Sequence, residues 1–443
     1  MIPIVTPTEM AAVDAAAPEP VEELIARAGA AVARSARRLL GGTYGRRVVV
    51  VAGPGNNGAD GRVAAERLRR SGVRVEVIDA RDAPASLPSA DLVVDAAFGT
   101  GINRAWAPPA TDAPVLAVDI PSGVHGLDGE VHGGAWRAEA TVTFAALKPG
   151  LLLGAGLERS GRVEVADIGL DVEPASAALV TATDVAEWVP HRDPTAHKWR
   201  SAVRVVAGSP GMSGAGRLVA EAAMRAGAGI VHASALGGDA SWPVEVVGRE
   251  LRGEDWAADV LEDADRFGAV VVGPGLGRSG TAAAGLDRLV AECDRPLVVD
   301  ADGLALLDPA TARLRRGPLV LTPHDGEFAA LTGARPAADR FAAARELAAD
   351  LDATVLLKGP TTIVAHGGFT LAVDEGDQRL ATAGSGDVLA GIIGAHLARG
   401  LDSFRAPAAA AFVHGRAAGR SPMEGTVARD LIDQLGPALE SCR

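Results

Sequence analysis

The chain has 443 residues, 48% of them hydrophobic, and a formal net charge of −13. This length predicts two domains, and the hydrophobic content is sufficient for two buried cores. The acidic balance argues against a nucleic-acid partner, because nucleic-acid-binding surfaces are basic. No apolar run reaches the roughly 18 residues of a membrane span, no signal-peptide pattern is seen, and Cys293 and Cys442 cannot form a disulfide framework. We therefore expect a cytoplasmic protein without membrane or nucleic-acid partners.

The first part of the chain alternates strand, loop and helix patterns. Thr6-Pro7-Thr8-Glu9 predicts a helix start with a capping box, and a second helix is expected at about 21–40. The strand predicted at 46–52 contains four consecutive valines, a pattern typical of sheets buried on both faces. A loop at 53–61 and a helix from there to Arg70 are expected next, followed by strands at 73–78, 92–96, 115–119 and 141–145. This alternation predicts a parallel sheet flanked by helices.

The pattern starts again after residues 171–201, which form a connecting segment with one short helix. Strands are then predicted at 203–207, 269–272, 297–300, 319–322 and 354–358. His366-Gly367-Gly368 predicts a hairpin turn, and two helices, 387–399 and about 406–420, are expected to close the chain. The fold class is therefore α/β, with two three-layer αβα domains at 1–175 and 181–443.

Three glycine-rich segments follow strands of the first domain: 55–61, 95–101 and 119–123. Ligands of open parallel sheets bind at the carboxyl ends of the strands, so these segments are expected to share one ligand site. Their glycines let backbone amides approach an anion closely. Their Asn, Asp and Ser oxygens are suitable ligands for a hard cation. Any one segment alone is also compatible with an ordinary tight turn.

These segments resemble the NAD(P)H-hydrate epimerase family, a Rossmann-like domain that interconverts R and S hydrates of the nicotinamide ring. The resemblance spans residues 1 to about 170. It implies a potassium ion at Asn57, Asp95 and Ser122, Asp119 as the acid/base candidate, and Lys148 as a second candidate. It implies that the hydrated dinucleotide is bound by Asn56, Asn57, Gly58, Ala59, Asp60, Gly99, Thr100, Gly101, Ile102, Asn103, Arg104, Ala105 and Asp119.

Glycine-rich segments also follow the strands of the second domain, at 208–216, 273–277 and 383–387. The first of these lacks a Gly-Lys-Ser/Thr ending, so it is not a Walker loop. The last segment opens a helix, and a glycine-preceded helix start binds anions. Asp387 in its first turn can take the proton of a hydroxyl that attacks phosphorus, although an aspartate at this position alone is also compatible with a helix cap. Lys358, one of three lysines in the chain, follows a strand.

This pattern resembles the ribokinase-like superfamily. Within it, the segments 322–327 and 301–304 are closest to the ADP/ATP-dependent NAD(P)H-hydrate dehydratase family, and the resemblance covers about 181–443. It implies that Asp387 is the base on the substrate hydroxyl and that Mg²⁺ bridges the nucleotide phosphates. It implies dinucleotide contacts at Ala215, Gly275, His324 and Asp387, and adenine-nucleotide contacts at Lys358, Gly359, Pro360, Thr361, Thr362 and Gly386. Asp325 and Ser385 depart from the family's usual proline and threonine, and His324 is also compatible with a structural role.

Together the two domains predict a bifunctional enzyme for metabolite repair. The epimerase (isomerase) part would interconvert the R and S hydrates of NADH and NADPH. The dehydratase (lyase) part would dehydrate the S form at the expense of ADP or ATP. Two alternatives stay open: a ribokinase-like small-molecule kinase, and a first domain that only binds. We expect a homo-oligomer that acts on small molecules, with K⁺ and Mg²⁺ and without a transition metal, because the histidines lack metal-ligand spacing.

Overall fold

The computed structural model describes residues 1–102, 105–173, 175–237 and 241–443. The chain divides into two compact units, Ile2–Ala177 and Ala178–Arg443. Among the described residues, no helix has the length and apolar character to cross a membrane. Asn103 and Arg104, two of the residues predicted to bind the substrate, lie outside the described residues.

The first unit alternates strands and helices as its sequence pattern predicts. Its elements are β1 (Ile2–Ile4), α1 (Pro7–Ala16), α2 (Val21–Leu40), β2 (Arg47–Ala52), α3 (Asn56–Arg70), β3 (Arg74–Asp79), β4 (Leu92–Ala96), β5 (Val115–Val118), β6 (Ala140–Phe144), α4 (Pro149–Leu152), α5 (Gly154–Arg159) and β7 (Arg162–Ala166). Six strands form one parallel sheet in the order β3-β2-β4-β5-β6-β7. This order is that of a doubly wound sheet, with ligand sites expected at its carboxyl edge.

The valines of β2 enter two separate cores, because successive side chains of a strand point to opposite faces. Val48 and Val50 pack on the face covered by α2 and α3, and Val49 and Val51 pack on the other face. Burial of the sheet on both faces is therefore confirmed.

Thr6 and Glu9 form the predicted capping box at the start of α1.

One expectation for this unit was wrong in detail. The segment 53–61 was expected to be a loop before a helix, but α3 begins at Asn56, so the motif residues form its first turn. Gly58 permits this early start: a Cβ there would lie 1.9 Å from the carbonyl oxygen of Gly53. The helix N-terminus therefore reaches the edge of the sheet itself.

The second unit contains a larger mixed sheet. Its elements are β8 (Ala177–Leu179), α6 (Ala182–Trp188), β9 (Ala202–Val206), α7 (Ser213–Arg225), β10 (Ile230–Ser234), β11 (Val247–Gly248), α8 (Trp256–Leu261), β12 (Ala269–Val272), α9 (Gly280–Glu292), β13 (Leu297–Val299), α10 (Asp302–Leu306), α11 (Pro309–Arg313), β14 (Leu319–Leu321), α12 (Asp325–Thr332), α13 (Arg340–Leu351), β15 (Thr354–Leu357), β16 (Thr362–His366), β17 (Phe369–Val373), α14 (Ser385–Ala398), α15 (Arg405–Ala418) and α16 (Ala428–Glu440). Its strands run in the order β8-β17-β16-β15-β14-β13-β12-β9-β10-β11.

The strands from β15 to β11 in this order are parallel, so their carboxyl ends share one edge. β16 and β17 form the predicted antiparallel hairpin, with Gly367 and Gly368 at positive φ in its turn. Helices α7, α14, α15 and α16 bury their apolar faces in one core on this sheet.

The expectation that two helices close the chain was wrong, because α16 follows them. Gly436 and Pro437 lie inside α16 and argue against a helix in the sequence, since proline removes a helix hydrogen bond. Burial of Leu431, Ile432 and Leu435 stabilises the helix despite them. Tertiary packing here outweighs local propensity.

Candidate active sites

The carboxyl ends of four strands meet at one edge of the first unit. The first turn of α3 follows β2, Asp95 lies near the end of β4, Asp119 follows β5, and Lys148 lies just beyond β6. A cavity of about 540 Å³ opens at this edge. Part of its wall is apolar and comes from α1 and α2, through Met10, Val21, Leu24, Ile25 and Ala28.

Asp119 and Lys148 form an ion pair at the floor of this cavity. Lys148 Nζ lies 2.8 Å from Asp119 Oδ1, and the lysine side chain is only 1% exposed. The ammonium also donates to Thr143 Oγ1 (2.8 Å) and to the carbonyl oxygen of Phe144 (2.9 Å), and Thr143 Oγ1 donates to Asp119 Oδ1 (3.1 Å). Asp119 has φ +67°, an uncommon conformation for a residue other than glycine. The carboxylate is therefore held in one position at the cavity.

Two further carboxyl groups line the cavity. Burial raises the pKa of Asp60 to about 8, and the charges of Asp119 and Asp14 add to this effect. The pKa of Asp14 is raised mainly by burial, against the opposing charge of Lys148. Near neutral pH the site thus contains a protonated Asp60 close to the ion-paired Asp119. A carboxyl group kept protonated by burial beside an ion-paired carboxylate is an arrangement suited to acid/base chemistry.

The residues predicted to hold potassium lie beside this cavity and offer oxygen ligands. Asp95 is fully buried and accepts hydrogen bonds from the backbone N–H of Ser122 (2.8 Å) and from Ser122 Oγ (2.5 Å). Burial raises the pKa of Asp95 to about 6, and the Ser122 hydrogen bonds oppose that increase. Both polar atoms of the Asn57 amide are buried without a hydrogen-bond partner. Unpaired buried amide atoms are rare, so this donor set fits a hard cation.

Most of the residues predicted to bind the dinucleotide line this cavity. They are Asn56, Asn57, Asp60, Gly99, Thr100, Gly101, Ile102 and Asp119. Gly58 is buried against Gly53, and Ala59 and Ala105 are not among the lining residues. Sequence reasoning missed Asp14 and the apolar wall, because α1 and α2 precede the glycine-rich motifs and carry no motif themselves.

The second site lies at the carboxyl edge of the second unit's sheet. Lys358 follows β15, and its Nζ lies 2.6 Å from Oδ1 of Asp300, the residue after β13. Asp300 is 1% exposed and also accepts from Thr322 Oγ1 (2.8 Å), at the end of β14. Burial lowers the pKa of Lys358, but the charges of Asp300, Glu327 and Asp387 outweigh it and the pKa is raised. The lysine is therefore positively charged.

Asp387 lies in the first turn of α14, near Lys358. The N-cap of this helix is Gly384, at φ +86°, so Asp387 is not the N-cap residue. Burial raises the pKa of Asp387 to about 6; the charge of Asp300 adds to the increase and that of Lys358 opposes it. A Cβ at Gly386 would lie 3.4 Å from Lys358 Nζ, so the helix start directly adjoins the ammonium. This arrangement combines an anion-binding helix start, a cation and a carboxylate that is ionised near neutral pH.

Ala215 and Gly275 come together from separate loops. A Cβ at Gly275, which has φ +60°, would lie 3.0 Å from the Cβ of Ala215. The neighbouring Gly277 N–H donates to Asp302 Oδ2 (3.0 Å), which links this loop to the start of α10. The two predicted dinucleotide contacts therefore share one surface.

His324 caps α12 and is also exposed. Its Nδ1 accepts from the backbone N–H groups of Gly326 (2.9 Å) and Glu327 (3.2 Å), which completes a capping box. The side chain is 59% exposed. The structural role considered for His324 is thus present at Nδ1, while Nε2 is left for other contacts, at 3.5 Å from Glu327 Oε1.

Asp325, named above as a departure from the pattern that the resemblance implies, pairs with an arginine that sequence reasoning missed. Arg340 Nη1 donates to Asp325 Oδ1 (2.8 Å), and its Nη2 donates to the carbonyl oxygen of Lys358 (2.7 Å). Arg340 therefore ties the His324 segment to the segment 358–362. Asp300 was also missed, since it stands in a strand pattern without glycine. Lys358 contacts both Asp300 and Arg340, and the contact with Asp300 exists only because β13, β14 and β15 are neighbours in the sheet.

Two family models match the chain. One, described as YjeF-related protein N-terminus, matches residues 21–85 and 78–150, and the other, described as NAD(P)H-hydrate dehydratase, matches residues 203–438. A solved structure of the ADP/ATP-dependent NAD(P)H-hydrate dehydratase from Bacillus subtilis, co-crystallised with ATP/Mg²⁺, is 29% identical with a TM-score of 0.51. The match covers 59% of this chain and 98% of that one. The fold is therefore a Rossmann-like unit followed by a ribokinase-like unit.

Two full-length relatives give the family. A bifunctional NAD(P)H-hydrate repair enzyme of Mycobacterium tuberculosis is 41% identical over 405 residues, covering 83% of this chain and 82% of that protein. One of Salinibacter ruber is 37% identical over 469 residues, covering 88% and 86%. The chain belongs to the bifunctional NAD(P)H-hydrate repair enzyme family.

Proposed function

We propose that this chain repairs hydrated NADH and NADPH in two steps. Residues 1–175 epimerise the R and S hydrates, and residues 181–443 dehydrate the S hydrate at the expense of ADP or ATP. The observation that carries the proposal is Asp387 beside Lys358 at the glycine-rich start of α14. The names of the full-length relatives support the pairing of the two activities.

In the first unit, Asp60 and Asp119 act as an acid and a base. The hydroxyl group of the hydrate is on a carbon bonded to the ring nitrogen. Protonated Asp60 donates to this hydroxyl, which leaves as water while the nitrogen lone pair forms a C=N bond. Water then adds to the opposite face of the ring; Asp119 takes its proton and releases it to solvent, and Asp60 takes a proton back from solvent. Asp119 orients and deprotonates that water, and the ion pair with Lys148 holds the Asp119 carboxylate in place.

Potassium would be held by Asn57, Asp95 and Ser122, where the unpaired Asn57 amide leaves an oxygen for it. When bound, the ion supplies fixed positive charge beside the glycine-rich segment that contacts the dinucleotide. Asp95 is ionised above its pKa of about 6, so near neutral pH this site has a negative charge that favours a cation. The fully buried Asp95 itself positions Ser122 through two hydrogen bonds.

In the second unit, Asp387 takes the proton of the substrate hydroxyl as its oxygen attacks the terminal phosphorus of the nucleotide. Lys358 and the backbone amides at the start of α14 stabilise the negative charge on the transferred phosphoryl group. The ring nitrogen then expels phosphate, and loss of a proton from the adjacent carbon restores the dihydronicotinamide. Phosphorylation makes a poor leaving group into a good one, so a kinase-like site serves a lyase.

Mg²⁺ would be held by the nucleotide phosphates, with the carboxylates of Asp300 and Asp302 near Asp387 as oxygen donors of suitable hardness. When bound, it neutralises phosphate charge during transfer. The B. subtilis dehydratase crystallised with ATP/Mg²⁺ supports this requirement. We favour ADP as the co-substrate of this chain. We also propose that the protein acts on small molecules in the cytoplasm and that it forms a homo-oligomer.

The decisive test separates repair from simple phosphorylation. Purified S hydrate is incubated with protein, Mg²⁺ and ADP or ATP, and products are followed by phosphorus NMR and dihydronicotinamide absorbance. Repair predicts equal amounts of free phosphate and dihydronicotinamide. A small-molecule kinase would instead leave the hydrate unchanged, or accumulate a stable phosphorylated product, and either result would contradict the proposal.

A further inference from the structure

A second large cavity of the ribokinase-like unit lies away from the site described above. Its volume is about 790 Å³. It is lined by Ser201 and Gly229, which precede β9 and β10, and by Arg399, which follows α14. Asp387 lies at the other end of α14. The cavity therefore opens at the amino edge of the sheet, opposite the carboxyl edge where Lys358 and Asp387 meet.

The walls of this cavity are strongly basic, although the chain as a whole has a net charge of −13. Two acidic residues, Asp193 and Glu440, line it, together with His191 and His197. Six cationic side chains also line it: Arg192, Lys198, Arg200, Arg225, Arg399 and Arg443. A cavity of small-molecule size whose lining has six cations against two carboxylates offers a site for an anion.

Most of these cations have no carboxylate partner. Arg443 pairs with Glu440 (3.2 Å), and the Asp193 carboxylate accepts from Thr195. Among the described residues, no ion pair within 4.0 Å involves the other five cations. Three helices, α7, α14 and α16, end at the cavity with about half a negative charge each. Together the three helix ends contribute less negative charge than the excess of cations over carboxylates in the lining, so the cavity stays positively charged.

Arg399 is fixed at the back of the cavity. Its guanidinium donates to the carbonyl oxygen of Ala226 (3.0 Å) and to that of Pro190. Gly227 makes room for it: a Cβ there would lie 2.9 Å from Arg399 Nη1, and φ at this glycine is +104°. Burial lowers the pKa of Arg399, and the charges of Arg443 and Arg192 lower it further. The three guanidinium groups thus repel one another without a bound anion.

We propose that this basic cavity, lined by residues 190–201, 225–229, 399 and 436–443, binds the polyphosphate group of a small molecule. A chain of two or three phosphates would bridge guanidinium groups of Arg192, Arg200 and Arg443 through charge-assisted, bidentate hydrogen bonds. It would also relieve the repulsion at Arg399. This site is separate from the nucleotide site at Lys358 and does not depend on the reaction proposed there.

The test uses inorganic tripolyphosphate as the probe and the full chain as the protein. Calorimetric titrations compare the wild type, the double variant Arg192→Gln/Arg200→Gln, and the charge-matched control Arg316→Gln/Arg335→Gln, which lies outside the cavity. We expect the cavity variant to lose one class of binding sites, or to bind there at least about tenfold more weakly. KM for the nucleotide in the dehydratase reaction should not change. Equal binding by both double variants would overturn the proposal.

A second measurement covers the case in which the cavity variant is unstable. Hydrogen exchange of the wild-type protein is measured with and without tripolyphosphate, at low and at high salt. Bound polyphosphate should protect the backbone of 190–201 and 225–229, and salt should weaken the protection because it screens the charges. Protection confined to the segments around Lys358 and Asp387 would show that only the nucleotide site binds, and would also overturn the proposal. A nucleoside triphosphate used afterwards distinguishes a nucleotide from a simple phosphate chain.

Discussion

Asp387 is a buried carboxyl group whose pKa, at about 6, sets the pH range in which it can act as a base. The nucleotide-dependent dehydration should therefore fall as the pH decreases below about 6, because the base becomes protonated. Asp387→Asn should lower kcat by about 10²- to 10⁴-fold, the usual contribution of a general base. Steady-state rates on the S hydrate across this pH range give both results. A wild-type rate that stays constant well below that pH would rule out Asp387 as the base.

Asp60 is expected to act in the opposite sense. It donates a proton, so epimerisation should decrease as the pH rises above its pKa of about 8. Asp60→Asn and Asp119→Asn should each slow epimerisation by at least about 10²-fold and leave dehydration of the S hydrate intact. Asp112→Asn, an exposed substitution in the same unit, is the control. Exchange between R and S hydrates without nucleotide is the measurement, and an unchanged rate in Asp119→Asn would contradict the assignment.

At the scale of elements, Arg340 of α13 joins two segments of the second site. Arg340→Met should release the carbonyl oxygen of Lys358 and raise KM for the nucleotide about tenfold, as expected when a hydrogen bond to a charged group is lost. The effect on kcat should be smaller, since Lys358 Nζ keeps its contact with Asp300. Arg335→Met, at an exposed position of the loop before α13, is the control. Equal KM values for the two variants would remove Arg340 from this role.

Helix α16 is expected to be an integral part of the ribokinase-like unit. Leu435 is fully buried, so Leu435→Ala should cost about 2–5 kcal/mol of stability. Asp433→Ala, on the exposed side of the same helix, should change it by no more than about 0.5 kcal/mol. The urea concentration that inactivates the dehydratase reports both. Similar midpoints for the two variants would mean that α16 contributes little to the fold.

The sequence predicted the elements that have strong local patterns. Valine-rich β2, the capping box of α1 and the glycine turn of the hairpin all depend on neighbouring residues, and all three are present. α16 was missed because Pro437 opposes a helix locally and only its packing favours one. The strand β10 was missed as well, since its buried His232 and Ser234 interrupt the apolar run.

The same division applies to the sites. Glycine-rich segments at strand ends, with Asp119, Lys358 and Asp387 beside them, were recognisable because each motif is continuous in the chain. Asp14, Asp300 and Arg340 reach the sites from distant positions and carry no motif. Their contribution depends on which strands are neighbours in the sheet and on how the helices pack, and neither can be read from one segment alone.

For the whole molecule, the account predicts that one chain converts both epimers. In the function proposed above the ribokinase-like unit acts on the S hydrate, so the R hydrate should be recovered only through the Rossmann-like unit. The two activities should then be separable by single substitutions: Asp387→Asn should retain epimerisation, and Asp119→Asn should retain dehydration of the S hydrate.

The most direct test starts from purified R hydrate with protein, Mg²⁺ and ADP, and follows dihydronicotinamide absorbance. The wild type should regenerate the dihydronicotinamide completely and much faster than the R hydrate epimerises spontaneously. Asp119→Asn should recover it only at that spontaneous rate. If the wild type recovers the R hydrate no faster than Asp119→Asn does, the first unit does not catalyse epimerisation, and the central claim of one chain with two repair activities is contradicted.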